Sequence, residues 1–198
     1  MMRLVLASAS PVRARLLEAA GVPFEVSPSR VDEKAAKATL LAEGAKPRDI
    51  ADALAETKAL RRAIAEPDAL VLGADQVLEF EGECLGKSAN LDEAQVLLRR
   101  LRGKSHTLIN AAVLARGGQA LWRHVGTATL WMRDFSDGFL RRYLDAEGEG
   151  ILGSVGCYHL EGRGTQLFSR IDGDYFTVLG LPLLPVLSAL RDVGVLER

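Results

Sequence analysis

Apolar residues fall into short continuous runs that alternate with runs of helical spacing, beginning near the start of the chain. The run from Arg3 to Ala7 is typical of a buried strand. Residues 11–20 follow with the signals of a helix, since Ser10 suits the N-cap, Pro11 the first position and Gly21 the position just past the end. The chain is predicted to open as strand, loop and helix.

Three further segments lead to the first long helix. Residues 22–29 are strand-like, whereas residues 30–47 are polar and mixed and predict an excursion over the surface. Helical spacing then predicts a helix over 49–66. Its packed face is expected to carry Ile50, Leu54, Arg61 and Ile64, with Lys58 at the edge of that stripe.

The middle of the chain predicts two strands and another helix. An apolar run over 69–80 predicts a strand, and a turn at 81–82 leads to a second, short strand. Asn90 and Glu93 form a capping-box-like start for a helix whose apolar residues keep the 3.6-residue period, and Gly103 ends it.

The rest of the chain predicts more antiparallel pairing. Two long strands over 106–135, joined at 117–118, would form a hairpin. The remaining predictions are a helix from Ser136 to Leu144, strands near 156–160 and 166–171, a turn at 172–173 and a closing helix over 182–193. These elements together predict one domain over 1–198 of the α/β class, with a mixed, partly antiparallel sheet flanked by helices.

Composition limits the partners of the chain. Lys and Arg total 25 against 26 for Asp and Glu, so net charge favours neither a nucleic-acid duplex nor an anionic membrane as the main partner. The apolar stretch 178–190 is too short to span a bilayer and contains two prolines, and the apolar run at the start is too short for a secretory signal. We therefore expect a cytoplasmic protein with no membrane span.

Cysteine and histidine show no pattern for metal or nucleophilic chemistry. Cys84 and Cys157 lack metal-ligand spacing and are expected to be reduced, packed thiols. His106, His124 and His159 show no ligand spacing with one another or with the cysteines, which argues against a zinc site. The sequence has no convincing Ser-His-Asp order, no P-loop and no G-x-G-x-x-G motif.

Arg13 lies in the first turn of the first predicted helix, where the macrodipole disfavours a cation by about 0.3–1 kcal/mol. The free N–H groups of the helix start, the hydroxyls of Ser8 and Ser10 and the forked guanidinium would together suit a phosphate. The alternative is a capped helix with an arginine at the surface.

Asp75 follows the apolar run 69–72, so a buried strand delivers its carboxylate, and a buried carboxylate needs a partner. Gly73 would allow close approach of another backbone or of a ligand. An aspartate that caps a neighbouring loop is the alternative. Strict alternation puts Asp75 and Gln76 on opposite faces, so both line one cleft only if the strand ends or bulges there.

Taken singly, Glu33, Lys58 and Lys87 are ordinary surface residues. Each of them belongs to one of six motifs along the chain, which are "LASASPVRARLLEAAG" at 6–21, "VDE" at 31–33, "ETKA" at 56–59, "GADQV" at 73–77, "LGK" at 85–87 and "GDYFTVLGLPL" at 173–183. Together these motifs resemble the Maf family of nucleoside triphosphate pyrophosphatases over nearly the whole chain.

The resemblance implies a fold with two lobes around a deep nucleotide cleft, similar to Maf and inosine triphosphatase folds. It implies hydrolysis of a nucleoside triphosphate to monophosphate and pyrophosphate, assisted by Mg²⁺ or Mn²⁺, and a homodimer. Asp75 matches the proton acceptor of the family, and Glu33, Asp75 or both would bind the metal. The residues that match its substrate-binding positions are Ser8, Arg13, Glu33, Lys58 and Lys87.

Three positions track base specificity in the family, and here they are Val12, Gln76 and Glu161. Gln76 and Glu161 resemble the residues of the subgroup that hydrolyses 7-methyl-GTP. A glutamate fits that substrate, because a carboxylate accepts from the N–H edge of guanine and offsets the charge of a methylated ring. The dTTP/UTP subgroup has threonine and glutamine there. Val12 departs from both subgroups, which have an aromatic residue or an arginine, and "INAAV" at 109–113 is a second departure.

Two other functions stay open from the sequence. The family is also associated with restraint of cell division, which would make the chain a nucleotide-binding regulator with incidental hydrolysis instead of an enzyme that clears modified nucleotides. A preference for dTTP or UTP is the alternative within the enzyme class. A module for nucleotide-bearing RNA ends is disfavoured because the sequence shows no basic stripe with interleaved aromatic residues.

Overall fold

Seven strands form one mixed sheet in the computed structural model, which describes residues 2–197. The strands are β1 Leu4–Leu6, β2 Glu25–Val26, β3 Leu70–Phe80, β4 Glu83–Leu85, β5 Ser105–Arg116, β6 Gln119–Met132 and β7 Phe168–Gly173. The α-helices are α1 Pro11–Ala19, α2 Glu33–Ala42, α3 Pro47–Ala65, α4 Leu91–Leu101, α5 Asp137–Glu147, α6 Tyr175–Leu179 and α7 Leu183–Asp192.

The strand order is β2-β1-β3-β5-β6-β7, and β4 pairs with β3 off this path. β1 runs parallel to β2 and to β3, whereas the other pairs are antiparallel. The predicted α/β class with a mixed, partly antiparallel sheet is therefore confirmed. None of the helices within residues 2–197 is long and apolar enough to cross a bilayer.

The alternation of side chains along β3 divides the core at this end of the sheet. Leu70 and Leu72 pack into a cluster with α1 and α7, and Val71 packs on the opposite face against α3. On the α3 face, a Cβ at Gly73 would lie 2.6 Å from the backbone nitrogen of Ala59 and would also collide with the carbonyl oxygen of Ala55. Only glycine therefore lets α3 sit this close to β3.

The packed face of α3 differs from the prediction. Arg61 and Ile64 are exposed, and Lys58, predicted at the edge of the stripe, is buried in the middle of the face. The pattern was misleading because the contact is made largely by alanines, whose small side chains permit the close approach at Gly73. The residues of α3 that are buried are Ile50, Ala51, Leu54, Ala55, Lys58, Ala59 and Ala63.

The predicted surface excursion over 30–47 is wrong in part, because it contains α2. Asp32 caps this helix by accepting a hydrogen bond from the backbone N–H of Ala35 at 3.0 Å. No residue of α2 is fully buried, so its sequence lacks the apolar stripe by which a helix is predicted. The strand predicted over 22–29 also shortens to the two residues of β2.

The strand predicted near 156–160 is wrong. Cys157 has a positive φ of 56°, which interrupts an extended backbone, and the segment is an irregular loop. The next strand, β7, begins at Phe168 and not at 166, and the turn predicted at 172–173 lies inside it. Gly173 pairs there with Ala128, and a Cβ at Gly173 would lie 2.7 Å from the Cα of Ala128.

His106 is a buried ionisable residue on β5. Its Nε2 lies 2.6 Å from the hydroxyl of Tyr158, and its Nδ1 has no hydrogen-bond partner among the described residues. Burial lowers the pKa of His106 from 6.5 to about 4, because the charged ring would lose its hydration. The imidazole is therefore neutral at neutral pH.

This depressed pKa predicts an acid-sensitive contribution to stability. Protonation favours the unfolded chain, so the contribution is full above about pH 6.5 and is lost as the pH falls toward about 4. The free energy of unfolding of the parent is expected to fall by about 2 kcal/mol more than that of His106→Gln between pH 7.5 and 5, measured by urea denaturation. Equal slopes for the parent and His106→Gln would contradict the assignment.

Candidate active site

A cleft of about 800 Å³ lies beside β3 and between α1, α2, α3 and the irregular loop 154–162, which lies between the 3₁₀ helices Gly148–Gly153 and Arg163–Leu167. The side chains predicted as site residues from separate parts of the sequence all line it. They are Ser8, Val12, Arg13, Glu33, Lys58, Asp75, Gln76, Lys87 and Glu161.

The cleft forms where one edge of β3 has no partner strand. β1 pairs with β3 only over Leu70–Leu72 and β4 only over Leu78–Phe80, so residues 73–77 are left without a partner on that side among the strands described. An open edge gives access to side chains from both faces of the sheet. Asp75 and Gln76 therefore line the same cleft although β3 continues with unbroken pairing to β5, and the expected strand end or bulge is wrong.

Asp75, Lys58 and Glu33 form an ion-pair cluster in the cleft. The Nζ of Lys58 lies 2.6 Å from Oδ1 of Asp75 and 2.9 Å from Oε1 of Glu33. Asp75 and Lys58 are buried, at 6% and 4% exposure, whereas half of the Glu33 side chain is exposed. The close contact of α3 with β3 at Gly73 brings Lys58 to Asp75, which lies two residues further along the same face.

The second oxygen of Asp75, Oδ2, receives no hydrogen bond from the described residues and is not sealed from the cleft. One oxygen of the carboxylate is thus fixed by a lysine while the other remains free to accept a proton or to bind a cation. The alternative role for Asp75, as the cap of a neighbouring loop, is wrong because its hydrogen-bond partner is Lys58.

The start of α1 brings donors to the cleft. Ser10 caps the helix by accepting from the backbone N–H of Arg13 at 3.4 Å, as predicted. The hydroxyl of Ser8 accepts hydrogen bonds from the backbone N–H of Ser10 at 3.2 Å and from Nη1 of Arg13 at 3.0 Å. These contacts fold the loop between β1 and α1 around the guanidinium of Arg13. The loop lies at the carboxyl ends of the parallel strands, where α/β sheets bind their ligands.

Arg13 is 8% exposed, so the alternative of a surface arginine is wrong. Its Nε donates to the carbonyl of Gly180 at 2.7 Å, and Nη2 donates to no acceptor among residues 2–197. Burial lowers the pKa of the guanidinium, and the negative charges of Asp75 and Glu33 oppose that shift. A desolvated guanidinium with a spare donor suits an anionic ligand.

Gln76, Glu161 and Val12 lie in the same cleft but make different contacts. The amide nitrogen of Gln76 donates to the carbonyls of Thr177 and Val178, both at 3.1 Å, which leaves its oxygen as the group presented to a ligand. Glu161 pairs weakly with Arg15 at 3.4 Å. Val12 is half-buried and brings neither a ring nor a charge.

Several cations of the cleft were missed from the sequence. Lys34 and Lys37 lie on α2, and recognition of that helix would have placed them one turn apart beside Glu33. Arg15 lies one turn after Val12 on α1. The six cationic side chains of the cleft outnumber its three carboxylates, Glu33, Asp75 and Glu161; they are Arg13, Arg15, Lys34, Lys37, Lys58 and Lys87. This local excess of positive charge favours a polyanion in a chain of net charge −1.

A family model for Maf-like proteins matches residues 3–193, which includes every residue of the cleft. The chain belongs to the Maf family. Membership agrees with the resemblance carried by the six motifs, and the match covers nearly the whole chain.

Relatives within the Maf family match the chain from end to end. A protein of Caulobacter vibrioides is 53% identical over 191 residues and one of Granulibacter bethesdensis is 51% identical over 190, each covering 96% of both chains; both are named nucleoside triphosphate pyrophosphatase. A Rhizobium meliloti protein, 50% identical over 194 residues and 98% of both chains, is named 7-methyl-GTP pyrophosphatase.

Proposed function

We propose that this Maf protein hydrolyses the α-β phosphoanhydride of nucleoside triphosphates and releases a nucleoside monophosphate and pyrophosphate. The observation that carries the proposal is the buried Asp75, held by Lys58 at 2.6 Å in a cleft whose cations exceed its carboxylates. The names of relatives about half identical over their full length support the same reaction.

In this mechanism, Asp75 is the general base. Its free Oδ2 accepts a proton from a water that attacks the α-phosphorus, while Lys58 fixes Oδ1 and so the orientation of the carboxylate. The new bond joins the water oxygen to phosphorus, and the bond that breaks joins phosphorus to the bridging oxygen, which departs with pyrophosphate.

The cations of the cleft offset the charge that grows on the leaving pyrophosphate. Arg13 offers Nη2, and the exposed Lys87 lies on the loop after β4, where it can follow the phosphate chain. The backbone N–H of Val12, which no described residue accepts, adds one oriented dipole at the start of α1. Because Ser8 and Gly180 hold Arg13 before the substrate arrives, its guanidinium stabilises the transition state with little reorganisation.

The donor set of the cleft fits a divalent cation. One oxygen of Glu33 makes no contact with Lys58, and Mg²⁺ is commonly held by one or two carboxylates together with substrate phosphates and water. We propose that Glu33 holds Mg²⁺ or Mn²⁺ with the triphosphate, which leaves Oδ2 of Asp75 free as the base. When bound, the ion would supply Lewis-acid polarisation of the phosphate oxygens.

The test is release of pyrophosphate from a panel of nucleoside triphosphates by the purified protein. We expect release with Mg²⁺ or Mn²⁺ and loss of release after chelation with EDTA. Tight nucleotide binding without turnover of any triphosphate would overturn the proposal and favour a nucleotide-binding regulator of cell division.

Base preference rests on Glu161, and we propose a guanine-type base, including 7-methyl-GTP. Glu161→Gln is expected to lower kcat/KM for 7-methyl-GTP by about tenfold or more, because a charge-assisted hydrogen bond contributes about 1.5–3 kcal/mol. The control Glu18→Gln, on the exposed side of α1 and outside the cleft, should hydrolyse like the parent. A parent that prefers dTTP or UTP by kcat/KM would contradict the role of Glu161.

The cytoplasmic location and the homodimer stay predictions from the sequence and the resemblance. Size-exclusion chromatography with light scattering would measure the oligomeric state directly.

A further inference from the structure

Asn110 is a fully buried amide in the middle of β5, between Ile109 and Ala111. It stands directly opposite Gln76 in the pairing of β5 with β3, so the two amides project from the same face of the sheet. Neither the proposed chemistry nor the apolar core accounts for an amide at this position.

Both amides donate to one carbonyl. The Nδ2 of Asn110 and the Nε2 of Gln76 each lie 3.1 Å from the carbonyl oxygen of Thr177, in the five-residue helix α6. Thr177 is seated closely on the sheet, since a Cβ at Gly126 would lie 3.1 Å from its Oγ1. Gly126 is the β6 partner of Asn110, and Gln76 is its β3 partner. Thr177 therefore contacts three residues that lie side by side on neighbouring strands.

The C-cap of the helix held in this way is the residue that orients Arg13. Gly180 follows α6 with a φ of 110°, a conformation that favours glycine, and its backbone N–H bonds back to the carbonyls of Phe176 and Thr177. The carbonyl of Gly180 then accepts from Nε of Arg13 at 2.7 Å. A continuous path of hydrogen bonds therefore runs from Asn110 through Thr177 and Gly180 to the guanidinium.

The unpaired oxygen of Asn110 lowers the stability of the fold, so a gain in stability does not explain why an asparagine stands here. Oδ1 is buried and has no hydrogen-bond partner among residues 2–197, a condition that is unfavourable for folding. Leucine has nearly the same shape and would remove this unpaired acceptor. The carbonyl of Thr177 would still accept from Gln76 and from the N–H of Gly180.

We propose that Asn110 is a positioning residue for Arg13, acting through Thr177 and Gly180 to hold the guanidinium toward the phosphates of the substrate. The inference rests on the proposed nucleotide site, and it adds a residue outside the cleft that sets the geometry of a phosphate ligand. A shift of α6 would move the carbonyl that fixes Nε and so change where Nη2 points.

The test measures stability and binding together in Asn110→Leu. The urea midpoint is expected to equal or exceed that of the parent. The Kd for the α,β-methylene analogue of GTP, measured by calorimetry, is expected to rise about tenfold. Unchanged binding would overturn the proposal, and so would a lower urea midpoint together with weaker binding, because that pair of results indicates a purely structural role.

A double-mutant cycle shows whether the effect passes through Arg13. In an Arg13→Lys background, which lacks the Nε contact to Gly180, Asn110→Leu is expected to leave the Kd unchanged. An equal loss of binding in both backgrounds would overturn the path. This test measures binding and not turnover. A parent that binds the analogue but releases no pyrophosphate would therefore contradict the proposed hydrolysis, and the test of Asn110 would still apply. A parent that binds no α,β-methylene nucleoside triphosphate analogue, whether of GTP, dTTP or UTP, overturns both.

Discussion

Asp75→Asn is expected to lower kcat for pyrophosphate release by about 10²–10⁴-fold, the usual contribution of a general base. The amide keeps the size of the carboxylate and retains an oxygen for Lys58, which donates to Oδ1 at 2.6 Å. It cannot accept a proton from the attacking water. The effect should therefore appear in turnover and not in folding.

Two measurements separate this result from general damage. Circular dichroism and urea denaturation should show a folded Asp75→Asn protein. The control Asp68→Asn changes an exposed carboxylate just before β3, outside the cleft, and should hydrolyse at the parental rate. A folded Asp75→Asn protein with parental kcat would exclude Asp75 as the base.

Gly73→Ala is expected to lower the free energy of unfolding by about 3 kcal/mol, at the upper end of overpacking effects. The new Cβ would lie 2.6 Å from the backbone nitrogen of Ala59, so α3 must move away from β3. Backbone atoms on a long helix cannot move aside as a flexible side chain would. Urea denaturation at neutral pH measures the loss.

The same displacement should also weaken the site, because α3 carries Lys58 and β3 carries Asp75. The matched control is Gly86→Ala, where an added Cβ meets no atom within 4 Å and the stability should be nearly parental. Equal stability of Gly73→Ala and Gly86→Ala would contradict the close packing of α3 on β3.

Much of the fold was predictable because its signals are local. Ser10 caps α1 through the N–H three residues on, and Asn90 caps α4 through the N–H of Glu93 in the same way. Gly117 and Gly118 have positive φ angles and join β5 to β6 as predicted. Each of these features is decided by residues that are neighbours in the sequence.

Other features depend on contacts between distant segments, and the residues alone did not predict them. Lys58 was expected at the surface, yet it is buried because glycine and alanine let α3 approach β3 and because Asp75 offers a partner there. Only the resemblance placed it in the site. Lys87, by contrast, is exposed as its residue type suggests, although it lines the cleft.

The irregular loop that carries Glu161 and the path from Asn110 to Arg13 had no signal in the sequence pattern. Cys157 adopts its positive φ in a buried setting that no local rule favours for cysteine. Asn110 and Thr177 are separated by 67 positions, and only the folded sheet brings them together. Roles of this kind follow from tertiary hydrogen bonds.

The position of water attack is the most direct test of the proposed reaction. The purified protein, with Mg²⁺ and its preferred triphosphate in water enriched in ¹⁸O, is analysed by mass spectrometry of both products. We predict one ¹⁸O in the nucleoside monophosphate and unlabelled pyrophosphate. Label in pyrophosphate, or release of orthophosphate with a nucleoside diphosphate, would contradict attack at the α-phosphorus.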